Sequence, residues 1–245
     1  MSASDLIDAA RELDRAVRRL HFSAPVAHVY NPLDYAWAGH EQYLRRFGEG
    51  RKRVVFVGMN PGPFGMMQTG VPFGEIAAVR DWMKVQADIA APAQQHPKRL
   101  IEGFACPRSE VSGRRLWGWA AQRFGSAEAF FEHCFVLNYC PLVFLEASGR
   151  NYVPEKLPAA ELQPLQAACD AHLRRALGVL QPEWAIGVGG YAMKRIQAAL
   201  AGSPLADSLR IDQILHPSPA SPAANRGWSE AVQRKLGEIG CFDDC

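Results

Sequence analysis

Four short apolar runs place the tightest limit on how this chain can fold: RVVFVG at 53–58, HCFVLN at 133–138, WAIGVG at 184–189 and RIDQIL at 210–215. Each is the length of one buried strand, and stretches with helical spacing lie between them. Residues 75–90 place Ile76, Val79, Met83 and Ile89 roughly on one face, and 160–180 repeat Leu162, Leu165, Cys169, Leu173, Leu177 and Leu180 every three or four positions. Two further helices are expected at 191–201 and 229–239, the last stopped by Gly240. Strands alternating with helices pair in parallel through right-handed crossovers. The expected fold is therefore an α/β protein with three layers, α/β/α, around a central four-stranded parallel sheet. Leu6, Ala10, Leu13, Val17 and Leu20 give residues 1–22 the pattern of an amphipathic surface helix. The 245 residues suit one domain with its core at 53–240, and 91–113 reads as an ordered surface loop pinned by Ile101, Phe104 and Val111.

Several classes fall away on composition. No apolar run approaches the roughly 20 residues of a membrane helix, and charges interrupt every apolar stretch of the N-terminus, so neither a membrane span nor a signal peptide is expected. Cys106, Cys134, Cys140, Cys169, Cys241 and Cys245 form no C-x-x-C and no zinc or iron–sulfur spacing. They read as core thiols of a reducing, cytoplasmic compartment (nucleoid-associated in a bacterium), with no metal. A net charge of +2 does not argue for nucleic acid, but residues 96–123 carry Lys98, Arg99, Arg108, Arg114, Arg115 and Arg123 against only Glu102 and Glu110. That local excess suits either a solvated face or a polyanion partner.

Ligands of open parallel sheets bind beyond the carboxyl ends of the strands. The first run leads straight into GMNPGPFGMMQTGVPFGE, 58–75, where dense glycine and proline fix a backbone shape, with Asn60 at its mouth. The second run ends at Asn138 and the fourth at His216. Each of these residues has an ordinary role as turn, cap or loop residue. Their shared position at strand ends points instead to a common site. Two other motifs carry less. GVGGYA, 187–192, matches a dinucleotide pattern but follows the third strand and lacks an acidic partner, so close helix–strand packing accounts for it. Ser218 stands two residues from His216 with no nucleophile elbow, which does not make a nucleophile–base pair.

The segments GMNPGPFGMMQTGVPFGE (58–75), VRDWM (79–83), HPKR (96–99), CPRSEVSG (106–113), HCFVLNYCPLVFLEASGRN (133–151) and LHPSPASPAANRGW (215–228) closely resemble the single-strand-selective monofunctional uracil-DNA glycosylases, a family of the uracil-DNA glycosylase superfamily. The resemblance implies excision of a flipped base from DNA, no metal or organic cofactor, and a monomer. It implies that Asn60 holds the attacking water, Phe73 stacks on the base, and main-chain groups of Met59 and Gly62 approach it. His216 would donate to O2 of the departing base, where negative charge gathers. Asn138 would donate to O4 and accept from N3–H, contacts that cytosine cannot match. Gly62 replaces a tyrosine that blocks the pyrimidine C5 position in another branch. The glycine leaves space for 5-substituted uracils such as 5-hydroxymethyluracil, and thymine must then be rejected by other means, such as a water near C5.

Two segments are expected to meet single- and double-stranded DNA. One is Ser148, Gly149, Arg150 and Asn151; the other is the proline-stiffened loop of Pro217, Ser218, Pro219 and Ala220, with Arg226 following. Animal members of the family carry an arginine where Ala220 stands. No lysine lies in the motifs that hold Asn60, Asn138 and His216 to form a Schiff base with C1′, so base removal without strand cleavage is expected. A glycosylase for deaminated purines such as xanthine or hypoxanthine, and a DNA-binding module without catalysis, are the competing readings.

Overall fold

A computed structural model describes residues 2–242. The strands are β1 (Val26–Tyr30), β2 (Val54–Gly58), β3 (Cys134–Asn138), β4 (Val143–Glu146), β5 (Asn151–Tyr152), β6 (Trp184–Val188) and β7 (Arg210–Ile214). β2, β3, β6 and β7 form a four-stranded parallel sheet in the order β3-β2-β6-β7, on the four apolar runs of the sequence. β2, β3 and β6 are buried along their whole length, whereas the edge strand β7 alternates polar residues with Ile211 and Ile214. That contrast follows from covering a strand on both faces rather than leaving it at an edge.

The helices are α1 (Ala3–Val17), α2 (Pro32–Tyr35), α3 (Trp37–Phe47), α4 (Met66–Thr69), α5 (Val111–Phe124), α6 (Ala127–His133), α7 (Ala159–Leu180), α8 (Gly190–Leu200) and α9 (Trp228–Glu238). α8 packs on β6 and β7, α7 on α8, and α1 on α7; on other sides of the sheet α6 meets β3 and α9 meets β7. Leu6, Leu13 and Val17 of α1 bury in the same apolar cluster as the sheet, as their spacing predicts. Gly187 allows α8 to approach β6, because a Cβ there would run into the backbone of Met193. The GVGGYA motif is thus a packing feature.

Three expectations need correction. Residues 75–90 do not form a regular helix: Ala78–Trp82 make one π-helical turn, and Lys84, at φ 54°, ends it. The apolar spacing is nevertheless used, since Ile76, Val79 and Met83 are buried, while Ile89 turns away to pack with Tyr30 and Tyr35. The loop at 91–113 ends early, because α5 begins at Val111. Buried Gln68 ties that loop down: its Oε1 accepts from the N–H groups of Glu102 (2.8 Å) and Gly103 (3.1 Å), and its Nε2 donates to the Leu100 carbonyl (3.0 Å). Finally, an antiparallel sheet in the order β1-β4-β5 adds a second unit that the four-run reading does not contain.

Candidate active site

The carboxyl ends of β2, β3 and β7 open on a cavity of about 470 Å³ lined by Asn60, Gly62, Phe73, Glu110, Asn138, Tyr152 and His216 among others. Its size suits a small organic ring system. Asn138 closes β3, Asn60 follows β2 by two residues, and His216 follows β7 by two. Sheet topology therefore assembles three residues that lie up to 156 positions apart.

Local contacts fix how each side chain presents itself. The Asn60 Nδ2 donates to the Leu142 carbonyl at 3.2 Å, which turns its Oδ1 into the free acceptor. Asn138 is buried, its Nδ2 lies 3.2 Å from the Met66 sulfur, and its Oδ1 is buried with no hydrogen-bond partner. Such an atom is rare in a folded interior, and here it faces a cavity that a ligand can enter. The Ser218 N–H donates to His216 Nδ1 at 3.1 Å, so the neutral ring carries its proton on Nε2. The Ser218 that is no nucleophile thus sets the tautomer of His216 through its backbone.

Burial lowers the His216 pKa below the ordinary 6.5. Because the folded value is depressed, the ring stays neutral as pH falls through 6.5 and gains its proton only below it. Burial, and then the nearby Glu75, raise Glu110 to about 7, so acidification neutralises an anion on the cavity wall over the same range. Single-turnover excision should accordingly show no loss between about pH 8 and 6.5. An acid limb centred at or above 6.5 would contradict a neutral His216.

Phe73 sits at φ 52°, a left-handed conformation uncommon for a bulky residue. Two donors hold its carbonyl, Trp117 Nε1 at 2.8 Å and the Glu75 N–H at 2.7 Å. The ring lies against Gly58, where an added Cβ would approach Phe73 Cε2 to 2.6 Å, and its centroid is 6.5 Å from that of His216. Strain kept in place by neighbours is characteristic of a functional position. The loop at Met59 and Gly62 is equally constrained: the Cys140 N–H takes the Met59 carbonyl at 2.9 Å, and Gly65 and Met67 share that of Gly62. Gly62 does not open into empty space, however. The Glu110 carboxyl fills the place its side chain would occupy.

Comparison with known proteins agrees with this geometry. Residues 46–236 match the family model for the uracil DNA glycosylase superfamily. The chain is 47% identical over 238 residues to the single-strand selective monofunctional uracil-DNA glycosylase of Rattus norvegicus, covering 97% of this chain and 85% of that one. It is 48% identical over 228 residues to the Bos taurus protein of that name, covering 93% and 83%. The chain belongs to the uracil-DNA glycosylase superfamily. Its relatives place it with the single-strand-selective monofunctional family, whose members are hydrolases of DNA repair. The crystal structure of Pedobacter heparinus SMUG2 shares the fold, with a TM-score of 0.68 at 17% identity over 97% of this chain and 99% of that one.

The loop that carries His216 in this glycosylase fold is held at four successive carbonyls. Trp228 Nε1 donates to Leu215 at 2.6 Å, Arg115 Nη1 to Pro217 at 2.9 Å and to Ser218 at 3.4 Å, and Asn225 Nδ2 to Pro219 at 2.9 Å. Arg115 Nη2 also donates to Asn225 Oδ1 at 2.8 Å. Gly189, at φ 94°, packs against His216, where an added Cβ would come within 3.2 Å of the His216 Cβ. Sequence reasoning counted Arg115 only as one of a group of basic residues. Nothing local marks it as a clamp, because its partners are 102 to 110 positions away. We expect Arg115→Ala to lower single-turnover uracil excision about tenfold or more, since small misplacements of a catalytic group are costly. An unchanged rate would show that the prolines alone hold the loop.

The residues expected at the DNA surface divide. Ser148 and Arg150 are exposed at the turn between β4 and β5, and Asn151 lines the cavity. Gly149 is buried with φ 82°, close against the His96 ring, so it shapes the turn and offers no surface to DNA. Pro217 is buried, Ser218 is half-buried, and Pro219, Ala220 and Arg226 are exposed. Of the basic residues at 96–123, Arg115 serves the loop and Arg123 covers Phe242, whereas Arg99 and Arg108 flank Phe64 on the cavity wall at 5.6 and 5.0 Å. Lys98 lies beside Ser148.

Proposed function

We propose that the protein hydrolyses the N-glycosidic bond of uracil, and of uracils with a polar 5-substituent such as 5-hydroxymethyluracil, in single- and double-stranded DNA, acting as a monomer without metal. The observation that carries the reading is the buried, unpaired Asn138 Oδ1. Uracil offers it the N3–H, and the Asn138 Nδ2 meets O4. Phe73 stacks on the ring of a base swung out of the helix. As the bond to C1′ breaks, the electron pair goes to the base and charge collects at O2, within the field of the His216 Nε2–H. Asn60, a neutral amide, orients the water that adds to C1′ through its free Oδ1 but does not take the proton as a carboxylate would. No lysine lines the cavity, which agrees with hydrolysis that leaves the strand intact. Single-turnover assays on matched oligonucleotides containing uracil, 5-hydroxymethyluracil, xanthine and hypoxanthine test this directly. A preference for the purines over uracil would overturn it.

Duplex activity turns on extrusion, which costs a few kcal/mol and less in single strands. Ala220 is exposed on the loop held by Arg115, and its N–H is tied to Ser218 Oγ at 3.1 Å. A side chain added there extends from a fixed backbone. Ala220→Arg should therefore raise the rate on a uracil:adenine duplex more than on single-stranded DNA, with the gain shrinking as salt rises. Equal mutant-to-wild-type ratios on both substrates would remove residue 220 from extrusion.

A further inference from the structure

Glu110 lines the same cavity but takes no part in the reaction as described. Its carboxyl lies in a niche of three glycines: a Cβ on Gly62 would overlap Oε1, one on Gly65 would overlap Oε2, and one on Gly113 would come within 3.1 Å of Oε2. Oε2 is buried and has no hydrogen-bond partner. The neighbouring acid, Glu75, differs sharply. Its Oε1 accepts from Ser109 Oγ and its Oε2 from the Ala78 N–H, both at 2.9 Å. The fold has thus satisfied one carboxyl and left the other facing the cavity. An unpaired buried polar atom is costly, and a ligand that supplies the missing bond gains what the free protein lacks.

The ligand's orientation identifies the ring position that meets it. The inference rests on the proposed pose, with Asn138 on N3 and O4, His216 on O2, and N1 directed to the sugar. The edge left for Glu110 is C5. We propose that the Glu110 carboxyl reads the 5-position of the flipped pyrimidine. A 5-hydroxymethyl group hydrogen-bonds to it in either protonation state, because a hydroxyl both donates and accepts. Uracil, with only hydrogen at C5, leaves room for a bridging water that keeps the carboxyl paired. The methyl of thymine excludes that water and pairs with nothing, so a buried carboxyl is stranded against it. The space that Gly62 provides is therefore a niche for a selective group, which explains how a pocket without a blocking side chain can still refuse thymine.

Single-turnover excision of uracil, 5-hydroxymethyluracil and thymine from otherwise identical single-stranded oligonucleotides, by wild type, Glu110→Ala and Glu110→Gln, tests the assignment. The readout is the rate ratio of each base to uracil within one variant, with a thermal melt to verify the fold. Glu110→Ala should lower the 5-hydroxymethyluracil:uracil ratio about tenfold and raise the thymine:uracil ratio, whereas Glu110→Gln, which retains a donor and an acceptor, should keep the first ratio within about threefold of wild type. Ratios unchanged in Glu110→Ala, including a parallel loss on all three bases, would overturn it, as would an equal fall in the first ratio for Glu110→Gln. Wild type that removes uracil but not 5-hydroxymethyluracil would instead refute the proposed substrate range, and the thymine ratio alone would then decide the role of Glu110.

Discussion

Replacing His216 with Leu is expected to slow uracil excision by about two orders of magnitude or more while leaving DNA affinity nearly intact. The imidazole enters the cavity as a neutral donor, its Nδ1 already occupied by the Ser218 N–H and its Nε2–H directed to where charge develops. Leucine has a similar bulk and can still pack on Gly189 and Phe73, so the loop retains its shape through Trp228, Arg115 and Asn225. What disappears is a donor fixed before the bond breaks. Such donors act on the transition state and little on the ground state, so the loss should fall on the single-turnover rate and not on the dissociation constant for DNA. A variant that excises uracil at close to the normal rate would remove His216 from the chemistry. One that loses rate and DNA binding together would make it a structural support of the loop.

Exchanging Asn138 for Asp should have an effect of comparable size on selectivity. The substitution hardly alters shape, yet it replaces the Nδ2 donor beside Met66 with a second oxygen. Uracil O4 then meets an acceptor where it needs a donor. A buried mismatch of this kind costs about 1–3 kcal/mol, and the site also gains a carboxyl next to Phe73 and Gly58. We expect uracil excision to fall about a hundredfold. Cytosine presents an amino group at the same place and finds an acceptor there, so the uracil:cytosine ratio should collapse further than the uracil rate alone implies. The measurement is single-turnover excision from paired uracil and cytosine oligonucleotides. A uracil:cytosine ratio equal to that of wild type would show that Asn138 does not read the pyrimidine edge.

Much of this molecule follows from short-range pattern. The four strands of the parallel sheet, α1 and α7, α8 and α9 are all present in the spacing of apolar residues, because a strand or helix buried on one side must repeat its apolar positions with the period of the backbone. Asn60, Asn138 and His216 could be singled out for the same reason: the carboxyl ends of parallel strands lie together whatever the loops do. Tertiary structure decided what pattern alone leaves open. Residues 75–90 have helical spacing, but a π-turn and the left-handed Lys84 send Ile89 to a different apolar cluster. The antiparallel β1-β4-β5 sheet joins segments more than a hundred residues apart, and neither is apolar enough to announce itself. The tautomer of His216, the orientation of Asn60 and the clamp by Arg115 depend on single hydrogen bonds to backbone groups that no side-chain pattern encodes. Glu110 illustrates the division most clearly: in the sequence it is one acid among basic residues, and only the packing of Gly62, Gly65 and Gly113 around it leaves a carboxyl oxygen buried, unpaired and facing the cavity.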